Sequence, residues 1–193
     1  MRTFLGVGVM GEGLYVSKDH HGKPTKHYQL WGNMMTRCYS SSPTYKNYFD
    51  CEVHETWLNF QNFAKWCDEQ KGFGNLNWHL DKDILIKGNK VYGPDTCVFV
   101  PSEVNKYYLK REASRGDLPI GVTRTDNERY MSQGNFKGFH SKFIGRYSTP
   151  EEAFLAYKNI KESHGRYLAS MYSGIVDERV IEALNNYEVN IND

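Results

Sequence analysis

Pro119–Lys158, PIGVTRTDNERYMSQGNFKGFHSKFIGRYSTPEEAFLAYK, reads as three short β-strands followed by a capped amphipathic helix. Ile120–Thr125 is the first strand, Tyr130–Gln133 the second and Phe139–Tyr147 the third. Gly134-Asn135 between the last two is a turn pair that suits positive φ. Thr149-Pro150-Glu151-Glu152 is a capping box with Pro at the first helical position. Ala153, Phe154, Ala156, Tyr157 and Ile160 then recur at helical spacing, one apolar stripe to lay across a sheet.

Working outward, the chain of 193 residues carries a net charge of +1, so contact with a polyanion has to come from local patches. Over 119–149, Arg124, Arg129, Lys137, Lys142 and Arg146 stand against Asp126 and Glu128, a local excess of +3. With Tyr130, Phe139 and Phe143 interleaved, this suits a phosphate-contacting face; a solvated face with ordinary surface charge is the other reading. Aromatic residues at 15% can build a dense core. No apolar run approaches the roughly 20 residues of a membrane span, and the glycine-broken start Phe4–Met10 reads as a strand rather than a signal peptide. Cys38, Cys51, Cys67 and Cys97 form no CxxC pairs, so no zinc is expected. They read as buried free thiols of a reducing, cytoplasmic compartment.

The organisation expected is α+β. An N-terminal unit covers 1–110, a polar linker 111–118, and a sheet-and-helix unit 119–193. Residues 1–26 suggest a strand, a Gly11-Glu12-Gly13 turn and a second strand Leu14–Ser17. His27–Tyr39 and Glu55–Asp68 predict helices, with Trp31, Met34, Met35 and Trp57, Phe60, Phe63 as buried stripes. Trp78–Ile86 predicts a strand, Val91–Pro94 with Cys97–Val100 a second extended piece, and Pro101-Ser102-Glu103 opens a helix to about Lys110. After the sheet the long helix runs toward Tyr172, Gly174 breaks it, and Asp177–Tyr187 gives a last helix.

Two resemblances follow from these residues. Gly121-Val122, Tyr130, Ile144-Gly145-x-Tyr147, Thr149-Pro150-Glu151-Glu152-Ala153 and Ala156-Tyr157 resemble the DNA-binding domain of plant ethylene-response factors, also carried by endonucleases of phages and mobile elements. The resemblance implies a three-stranded antiparallel sheet whose open face enters the major groove of double-stranded DNA, braced by the helix. Its DNA-binding candidates are Arg124, Arg129, Tyr130, Lys137, His140, Lys142 and Arg146. Ile120 and Thr123 stand where the plant proteins carry arginines, and Tyr130 replaces a tryptophan.

Over 27–110, Trp31-x-x-Met34, Arg37-Cys38-Tyr39, Tyr45, Tyr48, Trp57-x-x-Phe60-x-x-Phe63, Leu80-Asp81-Lys82-Asp83-Ile84-Leu85, Gly88-Asn89-Lys90, Tyr92-x-Pro94, Cys97-x-Phe99-Val100-Pro101 and Asn105 resemble a phage-encoded HNH-like (His-Me finger) family. That resemblance implies a ββα-metal unit holding Mg²⁺ or Mn²⁺ if active, with a general base ending its first strand. Lys82 falls at the base position, Thr96 near the central Asn, and Asn105 at the polar ligand position on the helix. A lysine is a poor base unless strongly desolvated. His79, Asp81 and Asp83 alternate along the predicted strand and so share a face, which offers His79 as base and a carboxylate as ligand. Alternatively Lys82 clamps phosphate. The candidate catalytic residues are therefore His79, Asp81, Lys82 and Asn105, and the candidate metal ligands Asp81, Asp83 and Asn105.

The functional expectation is a DNA-binding protein of phage or mobile-element type. It is either a homing-type, divalent-metal-dependent double-stranded DNA endonuclease with a degenerate HNH site, or a non-catalytic regulator or counter-defence protein. A module that meets a host protein through its aromatic surfaces is the third reading.

Overall fold

The computed structural model describes residues 3–109, 116–126 and 128–192. The chain is α+β and divides into two compact units, Met1–Asn105 with Ile175–Asp177, and Lys106–Gly174 with Glu178–Asp193. Of the linker expected over 111–118, residues 111–115 lie outside the described residues.

In the first unit, helix α1 (Lys26–Tyr39) starts at Thr25, whose side chain accepts from the Tyr28 N–H, and buries Trp31, Met34 and Met35. Short strand β1 (Glu52–Val53) pairs in parallel with β3 (Val91–Tyr92). The helix expected over Glu55–Asp68 is split into a 3-10 turn (Glu55–Leu58) and α2 (Phe60–Asp68). Val9 causes the break: its N–H donates to the Leu58 carbonyl and its carbonyl accepts from Phe60, so Asn59 is pulled extended and becomes the N-cap of α2. Strand β2 (Trp78–Asp81) runs antiparallel to β4 (Val98–Pro101), and α3 (Ser102–Tyr108) follows directly.

The core is aromatic. Trp31 donates from Nε1 to the Trp57 carbonyl at 2.8 Å, and Trp57 packs on Trp66 at a ring separation of 4.5 Å. The strands expected over Phe4–Met10 and Leu14–Ser17 do not form; the segment makes single bridges, Phe4 with Gly8, Val9 with Asn59 and Lys18 with Pro24. Besides the backbone bonds of Val9 to Leu58 and Phe60, it is held by the Gln61 carboxamide, which bonds the backbone of Met10 and Tyr15. All four cysteines are unpaired, three of them buried and Cys38 half-buried. Burial pushes the Cys38 and Cys97 thiols up to about 12.

The second unit is a sheet of β5 (Val122–Arg124), β6 (Tyr130–Gln133) and β7 (Phe143–Tyr147), antiparallel in that order, against α4 (Pro150–Tyr172). The capping box forms as its residues require: Thr149 Oγ1 accepts from the Glu152 N–H at 3.2 Å, and Glu152 Oε2 accepts from the Thr149 N–H at 3.3 Å. Gly121 has φ +79°, and a Cβ there would run into the Tyr157 ring, so glycine lets the strand enter the sheet against α4. A Cβ on Gly165 would fall 2.9 Å from the Leu184 carbonyl oxygen, and this close approach seats α5 (Glu178–Asn185) on α4.

The connection from β6 to β7 is a longer loop rather than the turn expected at Gly134-Asn135. The Gly134 N–H donates to the Lys142 carbonyl at 2.9 Å, closing residues 134–142, and the positive φ lies at Gly138, not Gly134. Phe136, 1% exposed, is the cause: it packs 5.9 Å from the Tyr157 ring and draws the loop onto the helix. Phe139 is consequently outside the third strand, stacked on His164 at 5.4 Å.

Candidate functional site

The second extended piece expected over Val91–Pro94 with Cys97–Val100 is divided between two sheets: Val91–Tyr92 pairs β1, whereas β4 pairs β2 and leads into α3. On β2, Trp78 and Leu80 pack toward the aromatic core, which leaves His79 and Asp81 on the opposite face. His79 is exposed and pairs in register with Val100. The strand ends at Asp81 instead of continuing to Ile86, so Asp83 lies beyond it and the alternation that grouped it with His79 and Asp81 does not reach it.

The strand stops because Asp81 caps the turn that follows. Its Oδ1 accepts from the Asp83 N–H at 2.8 Å and the Ile84 N–H at 3.1 Å. Burial pushes the Asp81 carboxyl above the ordinary carboxylate range, with the Asp83 N–H bond opposing and the Asp83 charge adding.

Lys82 is 5% exposed and turned inward. Its Nζ donates to Asp83 Oδ1 at 2.7 Å and to the Asn89 carbonyl at 2.6 Å, 5.7 Å from the Tyr92 ring centroid. The Asn89 amide completes the clasp: Nδ2 donates to the carbonyls of Lys82 and Val91, and Oδ1 accepts from the Val91 N–H. Thr96 Oγ1 donates to the Val91 carbonyl at 2.8 Å. Asn105 is half-buried on α3.

Asp81, Lys82 and Asp83 are thus committed to holding the loop 81–91 closed. A divalent cation needs several hard oxygens free to converge on it. Here one Asp81 oxygen binds two backbone N–H groups and one Asp83 oxygen binds an ammonium. Among the described residues no three His, Cys, Asp or Glu side chains gather in a metal-holding group. One oxygen of each carboxylate is therefore already engaged, which weakens Asp81 and Asp83 as ligands for Mg²⁺ or Mn²⁺.

The sheet sorts the DNA-binding candidates onto two faces. Val122 opposes Ser132, and Tyr130 opposes both Arg124 and Tyr147; this face carries buried Val122 and Ser132 and packs Tyr130 and Tyr147 toward Ala153, Phe154 and Tyr157 of α4. Arg124 therefore leaves from the helix side at the sheet's end, its guanidinium 5.7 Å from the Tyr130 ring. Thr123, Met131 and Arg146 align across the other, open face. Beyond a register shift at Ser132/Gln133, Gln133 reaches Thr123 Oγ1 at 3.4 Å, and Arg146 lies 5.9 Å from the exposed Phe143 ring. Arg129, Lys137, His140 and Lys142 are exposed in the connections, where His140 Nδ1 meets the Ser141 carbonyl oxygen at 2.9 Å.

Two arrangements went unread in the sequence. Arg37, on α1, lies 5.5 Å over the Tyr48 ring and donates to the Tyr92 hydroxyl at 3.5 Å. Only folding brings residues so far apart in the chain together. Lys161 is 8% exposed in α4; its Nζ donates to the Tyr107 carbonyl and lies 3.9 Å from that ring's centroid, and burial draws its pKa down to about 8. The signal for Lys161 was in the chain, since it follows Ala153 and Tyr157 at helical spacing along the buried stripe.

No protein-family model, curated protein or solved structure matches the chain.

Proposed function

We propose that this chain binds double-stranded DNA through the open face of the β5–β6–β7 sheet and that its ββα unit does not cleave. The observation that carries the reading is a short antiparallel sheet backed by α4, with Thr123, Met131, Gln133, Phe143 and Arg146 on the side away from the helix. A short sheet of this kind can present side chains to the major groove while flanking cations contact phosphates. Arg129, Lys137 and Lys142 supply that flanking charge from the connections.

The non-catalytic part rests on the closed loop 81–91, where the carboxylates and the lysine satisfy one another and the backbone. The order of β2, β4 and α3 is what favours the second reading, a metal-dependent DNA endonuclease of phage or mobile-element type.

Fluorescence anisotropy with a labelled duplex tests the binding. Affinity should fall with salt, and replacing Arg124, Arg129, Lys142 and Arg146 together by Ala should weaken it and flatten the salt dependence by about 0.9 for each phosphate no longer neutralised. Arg146→Ala should cost more than Arg124→Ala, because only Arg146 projects from the open face. Unchanged binding in the quadruple variant removes the sheet from the account. Incubation of the full chain with plasmid DNA and Mg²⁺ or Mn²⁺ separates the two readings. Cutting that chelator and Asp81→Ala both abolish would establish the nuclease instead.

A further inference from the structure

In the first unit, Arg37 is a half-buried cation with no carboxylate partner among the described residues. Lys82 is paired with Asp83 at 2.7 Å and Lys90 with Asp50 at 3.1 Å, whereas no Asp or Glu lies within ion-pairing distance of Arg37 among the described residues. Its guanidinium is held from two sides, over the Tyr48 ring and against the Tyr92 hydroxyl, and that hydroxyl bond is the one hydrogen bond the guanidinium makes among the described residues. The remaining N–H donors of the fork make no hydrogen bond among the described residues.

Tyr92 supplies the second half. It is 3% exposed, and its hydroxyl oxygen accepts from Arg37 while its own proton has no acceptor among the described residues. Burial pushes the Tyr92 hydroxyl well above its ordinary pKa, so it keeps that proton to donate. A planar guanidinium fork beside a neutral O–H donor is an arrangement of hydrogen-bond donors suited to a tetrahedral oxyanion.

We propose that Arg37 and Tyr92 form a binding site for a phosphate oxyanion, offered either by a nucleic-acid backbone or as free phosphate. The nucleic-acid source rests on the DNA-binding reading above; the free-phosphate source does not. Tyr48 holds the fork in place.

The test uses the full chain and inorganic phosphate, titrated against chloride at constant ionic strength. The readout is the Arg37 Nε–H resonance in ¹H–¹⁵N NMR, assigned by its loss in Arg37→Lys. A saturable shift is expected in the wild type, with affinity about tenfold weaker in Tyr92→Phe, which removes the donor and keeps the ring. No saturable wild-type shift overturns the proposal, and this arm needs no variant to fold.

A duplex-binding arm then assigns the source. Arg37→Met, made in the background of the quadruple sheet variant, should lower the salt slope of residual binding by about 0.9 if the oxyanion is a phosphodiester. A saturable phosphate shift with an unchanged slope supports the site and assigns it to free phosphate. Full duplex binding by the quadruple variant overturns the sheet reading and leaves this site standing.

Discussion

Removing the buried ammonium of Lys161 should stabilise the unit that contains it and erase a rise of stability with pH. The ammonium sits at 8% exposure with a carbonyl and an aromatic face for partners and no carboxylate among the described residues, and burial draws its pKa from 10.5 to about 8. The folded state therefore binds the proton less tightly than the unfolded chain. Between those two pKa values the unfolded state holds more protons, so stability must increase with pH. Below the folded value both states are protonated and the dependence vanishes.

The gap corresponds to about 3 kcal/mol of destabilisation at pH 7, of which about 2 kcal/mol should be recovered by pH 9.5. Lys161→Met keeps most of the aliphatic stem and discards the charge, at the cost of the hydrogen bond to Tyr107, about 1 kcal/mol. The variant should thus be more stable than the wild type by about 2 kcal/mol at pH 7, with a flat profile up to pH 9.5. Tyr107, whose hydroxyl burial pushes up, opposes the trend only above pH 10, where unfolded tyrosines ionise.

The assay is urea unfolding followed by ¹⁹F-tyrosine NMR, read at Tyr157 and Tyr187. Tryptophan fluorescence would report the wrong unit, since Trp31, Trp57, Trp66 and Trp78 all lie before Asn105. A wild-type profile that is flat from pH 7 to 9.5, or a Lys161→Met profile that rises in parallel with it, refutes the reasoning.

Other perturbations follow from the same geometry. Thr149→Ala removes the acceptor of the capping box and should cost about 1 kcal/mol in the same urea assay, with fraying confined to the first turn of α4 in hydrogen exchange. Gly121→Ala combines a left-handed backbone with a clash on Tyr157 and should cost more than about 2 kcal/mol, seen as a lowered urea midpoint for the sheet unit. Asn89→Ala breaks the clasp on Lys82 and Val91 and should cost about 2–3 kcal/mol by tryptophan fluorescence, with faster exchange across 82–91. Asp68 should lose its contribution as pH falls below the ordinary carboxylate range. Burial pushes its carboxyl up, but bonds from His27 and Tyr15 outweigh this and hold it low, so Asp68→Asn should flatten the acid limb.

Local chemistry made much of the second unit legible in advance. A capping box with proline behind its threonine specifies a helix start within a few residues, and Thr149–Glu152 delivers it. The period of Ala153, Phe154 and Tyr157 names the buried face of α4, and Tyr130–Gln133 forms the strand its composition suggests. In the first unit the stripe Trp31, Met34 and Met35 is likewise buried as α1. These are short-range properties, set by neighbours along the chain.

What the residues do to one another across the chain was decided only by tertiary structure. Val9 splits the helix expected over 55–68 because distant backbone groups compete for its hydrogen bonds. Phe136 draws 134–142 onto α4 because burying an aromatic ring outweighs closing a tight turn. Lys82 reads equally well as exposed or buried until Asn89 and Tyr92 are folded over it. Arg124 and Arg146 look alike in the sequence, yet pairing in register sends one to the helix side and the other to the open face. A strand has a side-chain period of two, so a shift of one residue in pairing exchanges its faces, and that register is fixed by the partner strand and the packed helix.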